Sequence, residues 1–156
     1  MIWRGGPWGT FCAQPNRMNA QTAALQKRTR AFANGVIQLC DKLPHSRAAA
    51  KIADQLLDSS SSTDSNYRAA CRARSRKEFI ALLGKTIEEC DESLGWLEML
   101  VENGFGPIEE AKALVKEADE LVAIFVKSRK TAERNYEAEL SRQRAARFRK
   151  SRITGT

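Results

Sequence analysis

Residues 75–102 read SRKEFIALLGKTIEECDESLGWLEMLVE, and their apolar positions predict a long amphipathic helix. One set of apolar residues recurs at steps of three and four, which is the spacing of a single helix face. Its members are Phe79, Leu83, Ile87, Cys90, Leu94, Leu97 and Val101. Ser75 followed by Glu78 is the capping-box pattern that opens a helix. The sequences Asn103-Gly104 and Gly106-Pro107 then end this helix and open another.

The same spacing predicts three further helices. Upstream, an apolar set begins the chain's regular structure: Leu25, Thr29, Phe32, Val36, Leu39 and Leu43. We expect the first helix to end near Leu43-Pro44, and the second to begin after Ser46, whose hydroxyl suits an N-cap. The fourth helix begins at Pro107, and its apolar spacing extends to about Phe148.

Two features of the second and third helices are less direct. Residues 59–65 read SSSSTDS, a composition typical of a loop, but helical spacing resumes at Tyr67 and Ala70. We therefore favour one long second helix with a waist of small residues over a linker. Trp96 flanks the apolar face of the third helix and follows Gly95, and we predict that it packs in a buried setting.

Four helices joined by short turns predict an all-α protein with the fold of an antiparallel up-down-up-down four-helix bundle. Residues 1–20 contain glycine, proline and tryptophan without helical spacing, so we expect an irregular arm, with Met18 as a candidate start. The predicted bundle spans residues 21–135. Residues 136–156 form a basic C-terminal extension.

The charge of the chain is unevenly distributed. The formal net charge is +7, and residues 127–152 alone contain ten basic and three acidic residues. Residues 1–43 carry six basic and one acidic, residues 44–77 seven and three, and residues 78–126 three and twelve. The basic and acidic helix pairs can therefore complement each other within or between subunits, whereas the C-terminal run has no acidic run of equal size to neutralise it.

Four motifs in order along the chain resemble a known family. Asn66-Tyr67-Arg68 is followed by ARSRKEF at residues 73–79, by ECDESLGWLEML at residues 89–100 and by EADELVAIFVKSRKT at residues 117–131. In this order and spacing they resemble the four-helix-bundle proteins encoded by intervening sequences of large-subunit (23S) ribosomal RNA genes. The resemblance implies an all-helical subunit that assembles into a homopentamer without an established catalytic activity. It also suggests a relation to the accessory variability proteins of diversity-generating retroelements, which bind nucleic acid and a reverse transcriptase.

Basic side chains are the candidate binding residues. A C-terminal run consists of Arg142, Arg144, Arg147, Arg149, Lys150 and Arg152. A second cluster, between the second and third helices, contains Arg72, Arg74 and Arg76. Guanidinium groups bind phosphates bidentately and release condensed counterions, which gives affinity for RNA or DNA without sequence readout.

Residue types for other chemistry are scarce. His45 is the single histidine, no Glu-x-x-His pair exists for a di-iron site, and the four cysteines contain no C-x-x-C pair. We therefore expect no catalytic residues, no metal and no cofactor. Without a long apolar run, the chain is expected to be cytoplasmic and not bound to a membrane. The alternative to nucleic-acid binding is a protein-interaction scaffold that docks a partner such as a reverse transcriptase.

Overall fold

The structure, a computed structural model, describes the backbone of residues 20–154 and the side chains of residues 20–149. Its regular elements are four helices: α1 Ala20–Cys40, α2 Arg47–Ala70, α3 Arg76–Glu102 and α4 Ile108–Thr154. Strands are absent from these described residues, and the prediction of an all-α protein with four helices is confirmed. Most of the predicted N-terminal arm, residues 1–19, lies outside the described residues. No helix within the described residues is both long and apolar enough to cross a membrane.

The predicted serine caps open α2 and α3. The Ser46 hydroxyl accepts the backbone N–H of Ala49 at 3.1 Å, and the Ser75 hydroxyl accepts that of Glu78 at the same distance. The Glu78 carboxylate reaches back to the backbone N–H of Arg74 at 2.7 Å. These contacts satisfy amide groups that have no partner inside the first turn of a helix, so the local sequence determines where both helices begin.

The turn between α3 and α4 depends on two glycines. Gly104 and Gly106 have φ angles of +66° and +77°, in the left-handed region that favours glycine. The backbone N–H of Phe105 donates to the Leu100 carbonyl at 3.0 Å, and that of Gly104 donates to the Val101 carbonyl at 3.2 Å. This pair of bonds is a Schellman motif, and it ends α3 at the predicted position.

Alanine substitutions at the two glycines should have unequal costs. Gly104→Ala is expected to lower the free energy of unfolding by about 1–2 kcal/mol, because only the left-handed backbone opposes it. A Cβ at Gly106 would also lie 2.7 Å from Leu43 Cδ2, whereas at Gly104 no such neighbour lies within 4 Å. Gly106→Ala should therefore cost more than Gly104→Ala. Urea unfolding of both variants measures the difference, and equal midpoints would contradict the packing of Leu43 against the turn.

The four helices share one apolar core. Its largest fully buried side chains include Phe32, Val36, Leu39, Leu56, Leu83, Leu97, Leu100, Leu121 and Phe125. Every helix contributes to this set, and the predicted apolar faces of α1, α3 and α4 supply most of it. Burial of these faces is the main driving force that holds helices of this amphipathic type together.

The serine-rich stretch of residues 59–65 is part of α2, so the prediction of a continuous second helix is confirmed. Its buried polar groups are paired. The Ser93 hydroxyl of α3 donates to that of Ser59 at 2.8 Å, and the Thr29 hydroxyl of α1 donates to the Asp64 carboxylate at 3.0 Å. Small side chains let the helices approach closely here, and the hydrogen bonds offset the cost of burying polar groups.

The prediction that Trp96 is buried is wrong. The side chain is half-buried against the core, and its indole N–H donates to the Glu92 carboxylate at 3.1 Å. One residue corresponds to about 100° around a helix, so Trp96 lies at the edge of the face whose centre is Leu97. A Cβ at Gly95 would have no neighbouring atom within 4 Å, so no neighbour occupies the space beside that glycine.

Helix α4 is longer than its apolar spacing indicates. It contains 47 residues, ends at Thr154 and spans about 70 Å. The helix passes without a break through residue 135, where the predicted C-terminal extension begins. The described part of that extension is therefore helical, and its arginines are carried on a regular backbone.

Candidate functional site

The C-terminal part of α4 leaves the four-helix core near Glu139. The Glu139 carboxylate pairs with the guanidinium of Arg76, the first residue of α3, at 3.6 Å. After Leu140, every described side chain from residue 141 to residue 149 is exposed. Residues 141–154 continue the helix for about 21 Å. We refer to residues 141–154 as the projecting helix.

Four arginines of the predicted C-terminal run are exposed on the projecting helix: Arg142, Arg144, Arg147 and Arg149. Among the described side chains, none of these four guanidinium groups takes part in an ion pair. Residues 141–149 contain no acidic residue that could neutralise them. Lys150 and Arg152 lie on the helical backbone, but their side chains lie outside the described part of the chain.

The second predicted cluster meets the first. Arg72 and Arg74 are exposed in the turn between α2 and α3. They precede Arg76 by four and two residues, and Arg142 follows Glu139 by three residues. Because Arg76 and Glu139 are in contact, the turn lies beside the base of the projecting helix. The two clusters, which are about seventy residues apart in sequence, thus form one basic surface.

Arg76 differs from its neighbours in this cluster. Only 13% of its side chain is exposed, and it is held by Glu139. Burial lowers the pKa of the Arg76 guanidinium from its ordinary value, and the Glu139 carboxylate opposes that shift. Arg76 therefore connects α3 to α4 within the protomer, and Arg72 and Arg74 are the more accessible members of the cluster.

The sequence analysis missed three basic residues on α4. Lys127, Lys130 and Arg134 are exposed and line one shallow concave surface together with Ala123, Val126 and Thr131. Their spacing of three and four residues places them on one face of the helix, and this spacing is the signal that could have identified them. They extend the basic surface back along α4 toward the core.

Basic charges elsewhere are neutralised by α4 itself. The Arg28 guanidinium of α1 donates to the Glu117 carboxylate at 2.8 Å and also pairs with Glu120. The Lys42 ammonium lies 2.6 Å from the Glu110 carboxylate. The hydrogen bond from Glu117 is the main cause that raises the pKa of Arg28 above its ordinary value. The acidic first half of α4 thus offsets α1, and the basic second half has no such counterpart among the described residues.

The outer surface of α3 has the opposite character. Glu88 and Glu92 are exposed, and Glu89 between them is half-buried. Burial raises the pKa of Glu89, and the negative charges of Glu92, Glu88 and Asp58 raise it further. A polyanion would be repelled here, so the charge distribution directs it to the basic surface of α4.

The sequence model of the 23S rRNA-intervening sequence proteins matches residues 21–127 of this chain. The chain belongs to this family. A crystal structure of a protein of unknown function from the S23 ribosomal protein family of Bacteroides thetaiotaomicron is similar in fold, with a TM-score of 0.64. The two are 24% identical over 70% of this chain and 98% of that chain. No protein with a curated description matches.

The family match separates the two basic clusters. Arg72, Arg74 and Arg76 lie inside the matched segment, whereas the projecting helix follows its last residue, Lys127, by more than a turn. The four-helix core is thus the part that this 23S rRNA-intervening sequence protein shares with its family. The arginines of the projecting helix are an addition to that core.

Other chemistry finds little support in the described residues of this family member. No group of three or more histidine, cysteine or acidic side chains among them could hold a metal ion. Burial is the main cause that raises the pKa of the Cys90 thiol to about 12 and that of the Cys40 thiol to about 11. Since the thiolate is the reactive form, these cysteines are poor nucleophiles at neutral pH.

Proposed function

We propose that this 23S rRNA-intervening sequence protein is a non-enzymatic, homo-oligomeric protein that binds RNA or DNA through the phosphate backbone. The observation that carries the proposal is the projecting helix, on which Arg142, Arg144, Arg147 and Arg149 are exposed without an acidic neighbour. Arg72 and Arg74 at its base, and Lys127, Lys130 and Arg134 on α4, enlarge the basic surface.

The mechanism is electrostatic and needs no base contacts. A guanidinium group donates two parallel hydrogen bonds to a phosphate, and each neutralised phosphate releases condensed counterions. Arg142 and Arg149 lie seven residues apart on one face of the helix, and Arg144 and Arg147 lie on another. A helix that presents arginines on more than one face can contact phosphates in several orientations, which suits binding without sequence preference.

In this proposal the subunit is an antiparallel up-down-up-down bundle that assembles into a homopentamer. Contacts between neighbouring helices support the antiparallel order, because residue numbers rise along one helix as they fall along the next. Examples are Arg28 with Glu117 and Lys42 with Glu110 between α1 and α4. Ile37 and Met99, which are 49% and 42% exposed, are apolar side chains that a subunit contact could cover. A pentamer would present five projecting helices to one nucleic acid and gain affinity from avidity.

A charge-matched pair of variants tests the proposal. The first replaces Arg142, Arg144, Arg147 and Arg149 with glutamine. The control replaces four exposed basic residues far from the projecting helix, Arg47, Lys51, Lys112 and Lys116, with glutamine. Each variant has a formal charge of +3 instead of +7, so they differ only in where the charge is lost. Along α4, residues 116 and 142 lie about 40 Å apart.

We expect the first variant to lose most of its affinity for labelled RNA and duplex DNA, and the control to lose much less. Fluorescence anisotropy measures both, and light scattering on the same samples gives the molar mass. Equal affinities for the two variants would contradict the proposal and favour a scaffold that docks a partner protein. A monomer in light scattering would remove the pentamer and its avidity.

A further inference from the structure

We infer that Phe148 is a stacking platform for an unpaired base, so that the basic surface prefers single-stranded over double-stranded nucleic acid. This inference rests on the proposed function and specifies its ligand. Three large apolar side chains are exposed among the described residues: Ile37, Met99 and Phe148. Phe148 is the most exposed, at 65%, and it is the one that lies among the arginines of the projecting helix.

The helix places the Phe148 ring between cations. Arg144 precedes Phe148 by four residues and lies on the same face of the helix, while Arg147 and Arg149 are its neighbours in sequence. Ala145, three residues before Phe148, has too small a side chain to cover the ring from the preceding turn. An aromatic surface is thereby surrounded by groups that bind phosphates.

This arrangement suits an unpaired nucleotide. Every base has a π face that can stack on an aromatic ring whatever its sequence, and a neighbouring guanidinium can cover the base or bind its phosphate. In a duplex both faces of each base are covered by adjacent pairs, so the ring can reach only backbone and groove edges. The arginines contribute to affinity for both kinds of ligand, whereas the ring contributes only to affinity for single strands.

The other aromatic residues of the described chain lack this setting. Tyr67 is buried, with its ring centroid 5.2 Å from that of Phe125. Trp96 is half-buried, and its indole is bound to Glu92 on the acidic surface of α3, which repels phosphates. Phe148 therefore carries the inference alone.

Two substitutions in the full-length protein test the role of the ring. Phe148→Leu keeps an apolar side chain and the helix propensity but removes the π surface, and Phe148→Trp keeps an aromatic ring. Neither changes the charge. The probes are a labelled oligoadenosine RNA and an RNA duplex of the same length, titrated at one salt concentration. Phe148→Leu should weaken binding of the single strand by about fivefold or more and leave duplex binding within about twofold of wild type. Phe148→Trp should bind both probes like the wild type.

Four outcomes would overturn the inference. One is wild-type protein that binds the duplex more tightly than the single strand. A second is an equal loss on both probes, which would mean that the ring supports the helix. A third is a change in molar mass on light scattering of Phe148→Leu, which would place the ring in a protein contact. The fourth is unchanged binding of both probes. The four-arginine variant separates the two proposals, because unchanged binding by Phe148→Leu with loss by that variant refutes stacking and leaves the phosphate-binding function intact.

Discussion

Replacing Phe125 with alanine is expected to lower the free energy of unfolding by about 3–5 kcal/mol. The Phe125 side chain is fully buried at the centre of the core, and its ring packs against that of Tyr67 at a centroid distance of 5.2 Å. The truncation removes apolar surface from the core, leaves a cavity between α4 and α2, and breaks the aromatic pair. Neighbouring helices can close such a cavity only in part, because each is fixed by its own packing.

Phe148→Ala is the matched control for this prediction. It makes the same chemical change on the same helix at a site where 65% of the side chain is exposed, and it should change stability by no more than about 0.5 kcal/mol. Urea denaturation followed by circular dichroism measures both variants. Similar costs for the two would contradict the register of α4, since they would place both rings in equivalent surroundings.

The sequence predicted the helices well because their signals are local. Ser46 and Ser75 provide caps from their own side chains, and Gly104 adopts a conformation that other residues avoid. The continuity of α2 through residues 59–65 was predicted for a less local reason. Its serines and threonine tolerate burial only because partners such as Ser93 on α3 are present to bind them.

The environments of particular side chains could be predicted less well, because they depend on how neighbouring helices pack. Arg74 and Arg76 look alike in sequence, but only Arg76 faces Glu139 of α4. Trp96 lies one residue from the centre of the α3 core face, and that single step leaves it half-buried. Periodicity identifies an apolar face to within about one residue, so it cannot predict what lies at the edge of that face.

The charge of the molecule follows from the same packing. The acidic first half of α4 neutralises Arg28 and Lys42 of α1, although the sequence alone allowed such complementarity within or between subunits. The second half of α4 lies beyond the reach of α1's cations and carries only Glu133, Glu137 and Glu139 against its many basic residues. Within the protomer, the basic charge that remains is therefore concentrated at the end of α4.

Deleting residues 141–156 is expected to leave folding and assembly intact and to weaken nucleic-acid binding strongly. The deletion removes six basic residues and no acidic ones, which lowers the formal charge from +7 to +1. The described side chains that it removes are all exposed, and the ion pair between Arg76 and Glu139 remains. Thermal unfolding and light scattering should therefore match those of the full chain.

The salt dependence of binding should then show how many phosphates the projecting helix contacts. If three of its six basic residues contact phosphates, the slope of log affinity against log salt should fall by about 2.7 for duplex DNA and about 2.1 for a single strand per helix engaged. The loss should be similar for unrelated sequences, because phosphate contacts carry no sequence information. Titrations of labelled RNA and duplex DNA at several salt concentrations measure the slopes for both proteins. Equal slopes for the full-length and truncated chains would show that these arginines do not contact phosphates, whatever their exposure.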